Sequence, residues 1–207
     1  YLPSAPYLHL ISRANVFFLT IEGHYLLIVQ ELPHEVYSQK NVSVITIDGG
    51  IDLIAVFNCV LSIFDKYSEW EDTLHGLILD HSPMEDYLKC SLPFIKSSLS
   101  IHDNNFRHLA RVGDSMLPKE HPFIQNREFV DPNFLIKIDE QVSESIFYAK
   151  DIIYYRHTSA HREFLFLNLF SGNTVAGRLV VSSSTRQFVP QDSVLVKYIW
   201  ANIWKQR

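Results

Sequence analysis

This 207-residue chain has only two cysteines, seven glycines, no long apolar run and no surplus of positive charge, and each shortage removes a class of function. Cys59 and Cys90 are too few for a disulfide framework and lack the CxxC spacing of a metal knuckle, so a cytoplasmic setting is the expectation. No stretch approaches the roughly 18 to 20 apolar residues that a membrane helix needs. The opening Tyr1-Leu2-Pro3-Ser4-Ala5-Pro6 shows no basic flank ahead of an apolar core, and no membrane partner is expected. The lysines and arginines are scattered through a chain of formal net charge −5, so they form no footprint for nucleic acid. GxGxxG, GKS/T and GxSxG are all missing, which argues against a dinucleotide fold, a P-loop and a serine nucleophile elbow. No cofactor is expected.

What is present is core material: 47% hydrophobic residues and 13% aromatic ones. The length suits one large domain or two small ones. Residues 14 to 20 and 24 to 30 are rich in β-branched and aromatic types and read as strands. Asn41 to Asp48 reads as a third, closed by Gly49-Gly50, and a helix over 51 to 79 follows, giving a βα unit. Along that helix Leu53, Phe57, Val60, Phe64, Tyr67, Leu74 and Ile78 recur at steps of about four and three, the spacing of a coiled-coil seam or a core-facing helix. Roughly 29 helical residues would reach about 43 Å. Glu71 falls on the expected seam with Trp70 beside it, which predicts a short seam packed partly on its own domains.

A second helix is predicted from Ser82-Pro83-Met84-Glu85, with Ser82 as cap, Pro83 at the first helical position and Glu85 completing a capping box. Pro93 should turn the chain after about Cys90. Beyond it Lys96 to His102 alternates, Asp103-Asn104-Asn105 supplies turn residues and Phe106 to Val112 returns, a hairpin signature. Asp131-Pro132 marks a helix start. Ile146 to Tyr155, Glu163 to Leu169 and Gly177 to Ser183 read as strands. Val194, Leu195, Tyr198, Ile199 and Ile203 fall at helical spacing after Pro190. The chain opens without an initiator Met and stops at Trp204-Lys205-Gln206-Arg207 within an apparent helix, so it reads as a fragment. The expected fold is α+β: a small α/β module at 1 to 50, a linker and dimerisation helix at 51 to 79, and an antiparallel-sheet sensor at 80 to 207.

Two stretches resemble a known family. Phe57-Asn58, Ile63-Phe64, Lys66-Tyr67, Trp70-Glu71 and Leu74 resemble the linker helix of PucR-type and CdaR-type bacterial transcription regulators. Leu165 to Ile203, with Asn168, Gly177-Arg178-Leu179-Val180-Val181, Phe188 and Asp192, is similar to the end of a GAF domain. Asp103-Asn104-Asn105-Phe106 and Leu109-Ala110 resemble the hairpin of a GAF or PAS sensor. The resemblance covers about residues 50 to 207. It implies a GAF-like sensor that takes a small-molecule effector between sheet and helices, while the apolar seam of the helix at 51 to 79 makes a homodimer the expectation. It also implies a C-terminal helix-turn-helix that contacts DNA and is missing from this sequence.

Candidate ligand contacts are polar residues on otherwise apolar strands: Ser98, Ser100, His102, Arg107, His108, Arg111, Tyr148, Tyr154 and Arg156. Period two puts Ser98, Ser100 and His102 on one face and Leu99 and Ile101 on the other. With the leucine and isoleucine inward, the serines are expected to face solvent. Arg107 and Arg111 are candidates to clamp an anion. Phe57, Phe64, Tyr67 and Trp70 are the candidate dimer contacts, although Tyr67 and Trp70 also suit a core. His157 and His161 have the i, i+4 spacing of a zinc pair but sit between strands without a third ligand, so no metal is expected. Asn41-Val-Ser43 matches a glycosylation acceptor inside a predicted strand and is read as coincidence. No catalysis is expected. The competing readings are a small hydrolase using clustered His and Asp residues and a ligand-free interaction scaffold.

Overall fold

A computed structural model of the chain describes residues 7–11, 16–21, 24–29, 42–46, 51–121, 124, 128–142, 145–157 and 162–204. It divides into two compact units, Tyr1–Glu69 and Trp70–Arg207, with the division inside one long helix.

The first unit holds a four-stranded sheet of β1 (Tyr7–Ile11), β2 (Val16–Ile21), β3 (His24–Val29) and β4 (Val42–Thr46), in that order. β1 to β3 run antiparallel, and β3 pairs β4 in parallel with Tyr25 opposite Val42 and Val29 opposite Thr46. β1 is a strand beyond the three that composition suggested. The Glu22-Gly23 and Gly49-Gly50 breaks lie outside the described residues. α1 (Leu53–Leu79) follows and matches the expected helix to within two residues at its start.

α1 ends in a Schellman motif. His81 takes a left-handed backbone, φ 50°, while the N–H groups of His81 and Ser82 donate to the carbonyls of Ile78 and Leu77. This closure accounts for one miss. Ser82 belongs to the end of α1, so α2 (Met84–Ile95) starts with Pro83 as its N-cap and no side-chain cap, and the predicted capping box does not form. Pro93 does not turn the chain at Cys90 either. The helix runs on to Ile95, because Leu88, Ser91 and Ile95 are fully buried and that packing offsets the lost N–H. Lys96 in the left-handed region then ends it and delays the next strand to Ser98.

The second unit is an α+β module around a five-stranded antiparallel sheet: β5 (Ser98–His102), β6 (His108–Val112), β7 (Ile153–His157), β8 (Arg162–Ser171) and β9 (Thr174–Ser183). Their order across the sheet is β6-β5-β9-β8-β7. A 3₁₀ turn at Asp114–Met116 follows β6. It is entered through Gly113 at φ 78°, where a Cβ would stand 2.9 Å from Leu92 Cδ1 and 3.1 Å from Ser98 Cα. α3 (Pro132–Gln141) begins as its sequence predicts, with Asp131 accepting from Asn133 N–H at 3.0 Å and Pro132 at the first position. α4 (Pro190–Trp204) closes the described chain.

Both faces of this sheet are covered. On one, the end of α1 (Trp70, Leu74), α2 (Tyr87, Leu88, Ile95) and α4 (Val196, Ile199, Trp200, Ile203) pack on Leu99, Ile101, Leu165, Leu167, Leu179 and Val181. On the other, α3 (Leu135, Ile138) and Ile146 and Ala149 pack on Ile153, Tyr155, Phe164, Phe166 and Val180. The predicted strand at Ile146 to Tyr155 is a correction: only Ile153–His157 is extended. Asp139 accepts from Ser145 O–H at 2.7 Å and Ile146 N–H at 2.9 Å and so folds residues 145 to 149 into a turn. Among the described residues no helix is long and apolar enough to cross a membrane.

Candidate functional site

The sheet registers align three rows of side chains on the face that carries α3. Cross-strand partners point the same way, so each row can be followed from strand to strand. One runs Arg111, Ser100, Val180, Phe166 and Ile153; a second runs His108, His102, Arg178 and Asn168; a third runs Ser98, Ser182, Phe164 and Tyr155. The β7 and β8 half of this face is aromatic and lies under α3. The β5, β6 and β9 half is polar.

Ser98, Ser100 and His102 share a face, as period two requires, but none of them faces solvent. All five residues of β5 are buried, because β5 is an inner strand with both faces covered. Their polar atoms are bonded locally: Ser98 Oγ donates to Val112 O at 3.1 Å and Ser100 Oγ to Val180 O at 3.5 Å. His102 Nε2 and His108 Nδ1 are 2.9 Å apart, close enough to share one proton between imidazoles. A bulge between Ile101 and His102 brings the two rings level.

Arg178 is the charge at the centre of this face. It is buried beside His102 and donates from Nη1 to Asp103 O (3.2 Å) and Asn104 O (3.0 Å) and from Nη2 to Phe147 O (3.5 Å). Its guanidinium lies 4.0 Å above the Phe106 ring. Burial lowers Arg178 to about 10 in spite of Asp103 nearby, and it stays charged at neutral pH. Burial first, then His108, Arg178 and Arg111, hold His102 well below the ordinary histidine value. His121 is also buried, 5.4 Å from Phe164, and burial followed by Arg162 lowers it to about 3. The polar half thus presents two arginines, Arg178 fixed by backbone carbonyls and Arg111 tied to Asp114, beside a neutral His102 and serine hydroxyls. The acids that are buried among the described residues, Glu163 and Asp192, are engaged elsewhere: Glu163 accepts from Phe188 N–H at 2.7 Å, and Asp192 holds Arg186 with two bonds of 2.8 Å.

The candidate ligand contacts separate in three dimensions. His102 and Arg111 share the polar half-face, and Arg111 is tied to Asp114 at 2.8 Å. Tyr154 and Arg156 alternate with the inward Ile153 and Tyr155 and so belong to the opposite face, where Arg156 lies 3.4 Å from Glu163. Arg107 is exposed near Glu128, and Tyr148 is 75% exposed. Of the candidate dimer contacts, Phe57 and Phe64 are half-buried and Tyr67 is exposed. Trp70 is 5% exposed, donates to Ser91 Oγ at 3.3 Å and stacks on Phe94 at 4.4 Å, so it packs within its own unit. His157 ends β7, and His161 lies outside the described residues. Among the described residues no group of three or more His, Cys, Asp or Glu could hold a metal. Sequence reasoning missed Arg178 and His121 as site residues. For Arg178 the signal was an arginine between apolar Val175 and Leu179 to Val181 on a strand; for His121 there was none.

No protein-family model matches this chain, and no curated protein does. Solved structures with similar outlines include a GAF domain from Pseudomonas syringae pv. tomato, at 16% identity and a TM-score of 0.47 over 72% of this chain and 88% of that one. The cofactor-binding GAF domain of the nutrient sensor CodY from Clostridium difficile matches at 12% identity and a TM-score of 0.40, over 70% of this chain and 94% of that one. The E. coli DhaR(N)–DhaL complex matches at 14% identity and a TM-score of 0.36, over 70% of this chain and 49% of that one. None of these three reaches 0.5, so the α+β fold of the second unit rests on the strand order and registers above.

Proposed function

We propose that this chain is the signal-sensing and dimerisation region of a bacterial transcription regulator of the PucR or CdaR type. In this reading the Trp70–Arg207 unit is a GAF-like sensor that binds a small-molecule effector on the α3 face of its sheet. It acts without catalysis, in the cytoplasm, and reaches DNA through a helix-turn-helix outside these residues. The observation that carries the reading is the enclosed polar half-face of Ser98, Ser100, His102, Arg178 and Ser182, with half-buried His108 at its edge. A sheet face that served packing alone would be apolar, since each buried polar group must recover the hydrogen bonds it loses on leaving water. A few convergent polar groups beside an aromatic wall are what recognition of a small molecule needs. Effector binding then shifts the relative positions of the linker and terminal helices. The exposed Ile63 and Tyr67 of α1, at i, i+4 on one face, supply the seam for a second copy.

A thermal-shift screen against small metabolites tests the sensor reading. A true effector raises the melting temperature with concentration, by an amount that corresponds to about 2.7 kcal/mol at one hundred times its Kd. Ser100→Val, which removes one hydroxyl from the centre of the face, should weaken that response. A screen with no stabilising compound, or a Ser100→Val protein that responds like the parent, defeats the proposal. Light scattering tests the other half: a strictly monomeric chain removes the dimer.

A further inference from the structure

We infer that the Trp70–Arg207 unit carries a second small-molecule site on the opposite, helical face of its sheet, in the groove between α4 and the outer end of β8, and that this site takes a small amphipathic anion. The groove follows from strand lengths. β7 pairs β8 only from Arg162 to Phe166, so Leu167 and Leu169 run on past the end of β7. Lys150 and Asp151, just before β7, form one bank of the opening, and α4 forms the other with Lys197 and Trp200 at i, i+3 on a single stripe. The resulting volume is about 480 Å³, within the range of small-molecule sites. Trp200 packs over Gly177 of β9, where a Cβ would stand 4.0 Å from Trp200 Cη2, an ordinary contact.

Two features of the chemistry converge on one ligand class. The floor of Leu167, Leu169 and Trp200 is apolar and nearly closed to water, which suits a hydrocarbon or aromatic body. At the rim two ammonium groups stand against one carboxylate, with Lys197 and Asp151 paired at 2.7 Å, and this leaves a net positive charge. An apolar molecule with a single carboxylate supplies both complements: body to floor and charge to lysines. The site is on the other side of the sheet from the polar half-face and does not depend on the effector reading.

Sodium octanoate serves as probe, with octan-1-ol and octylammonium as controls, titrated into the ¹⁵N-labelled full chain. The readout is the indole N–H resonance of Trp200, identified by its loss in Trp200→Phe. Octanoate should move that resonance saturably, because the Trp200 ring lines the groove, while the alcohol and the amine should not. The Lys150→Gln/Lys197→Gln double variant should bind octanoate on the order of tenfold more weakly with its spectrum otherwise unchanged. The inference is overturned by a Trp200 resonance that does not respond, by equal responses to all three compounds, or by unaltered affinity in the double variant.

Discussion

His121 provides a measurement whose size can be worked out beforehand. Its ring is fully buried, and burial, with Arg162 adding, lowers it to about 3. The same imidazole in the unfolded chain titrates near 6.5. Well above 6.5 both states are neutral, and His121 puts no pH slope on stability. As pH falls through 6.5 the unfolded chain takes up a proton that the folded ring refuses, so stability falls by about 1.36 kcal/mol per pH unit until the folded ring titrates near 3. From pH 7.5 to pH 5 this one residue therefore contributes a loss of about 2 kcal/mol, a large share of a typical domain's stability. At pH 5 the buried ring is neutral, so the figure depends on the unfolded pKa alone. Urea denaturation followed by tryptophan emission is the assay: Trp70, Trp200 and Trp204 are the three tryptophans and all fall in the second unit. His121→Phe keeps an aromatic ring against Phe164 and cannot titrate. It should lose about 2 kcal/mol less than the parent over that pH interval. His102, also held below its ordinary value, is present in both proteins and cancels. Equal losses in parent and variant would refute the argument.

Arg178→Met removes the donor from three backbone carbonyls, of Asp103, Asn104 and Phe147, while keeping a similar length of apolar chain. Stability by urea denaturation should drop by about 2–4 kcal/mol, since three carbonyls lose a charged donor; a loss under about 1 kcal/mol contradicts this. Gly177→Ala places a Cβ 3.0 Å from His102 O, a backbone atom that can give little. It should cost about 1–3 kcal/mol and lower the melting temperature, and an unchanged melting temperature would show that β5 and β9 separate more easily than their register suggests.

Much of the frame was legible because it is written in local terms. An apolar period near 3.5 marked α1, and its stripe needs no knowledge of the partner. Asp103-Asn104-Asn105 marked the β5–β6 hairpin: Asp103 Oδ1 accepts from Asn105 N–H at 2.8 Å and Arg107 N–H at 2.9 Å, a bond pattern specific to its own turn. Asp131-Pro132 marked α3 for the same reason. Most of the misses have the opposite cause. Ser82 was drawn into the end of α1, Pro93 was overruled by burial of its helix, and Ile146 to Ala149 were folded by Asp139 and fastened by Asn168, whose Nδ2 donates to Ile146 O and Ala149 O at 2.9 Å each. Two of these three depend on packing or bonds to residues outside the local segment.

By itself the sequence determined which residues of β5 share a face: Ser98, Ser100 and His102 on one side, Leu99 and Ile101 on the other, because side chains alternate along any strand. Which face is wet was not in that alternation. Only the tertiary structure placed β5 between β6 and β9 and covered both sides, turning a presumed solvent row into a buried polar one. It also set Arg178 opposite His102 from a strand 76 positions later in the chain, and put Trp200 over Gly177 beside the end of β8. Alternation is a property of one strand's backbone; burial and charge pairing are properties of whatever the rest of the chain lays against it.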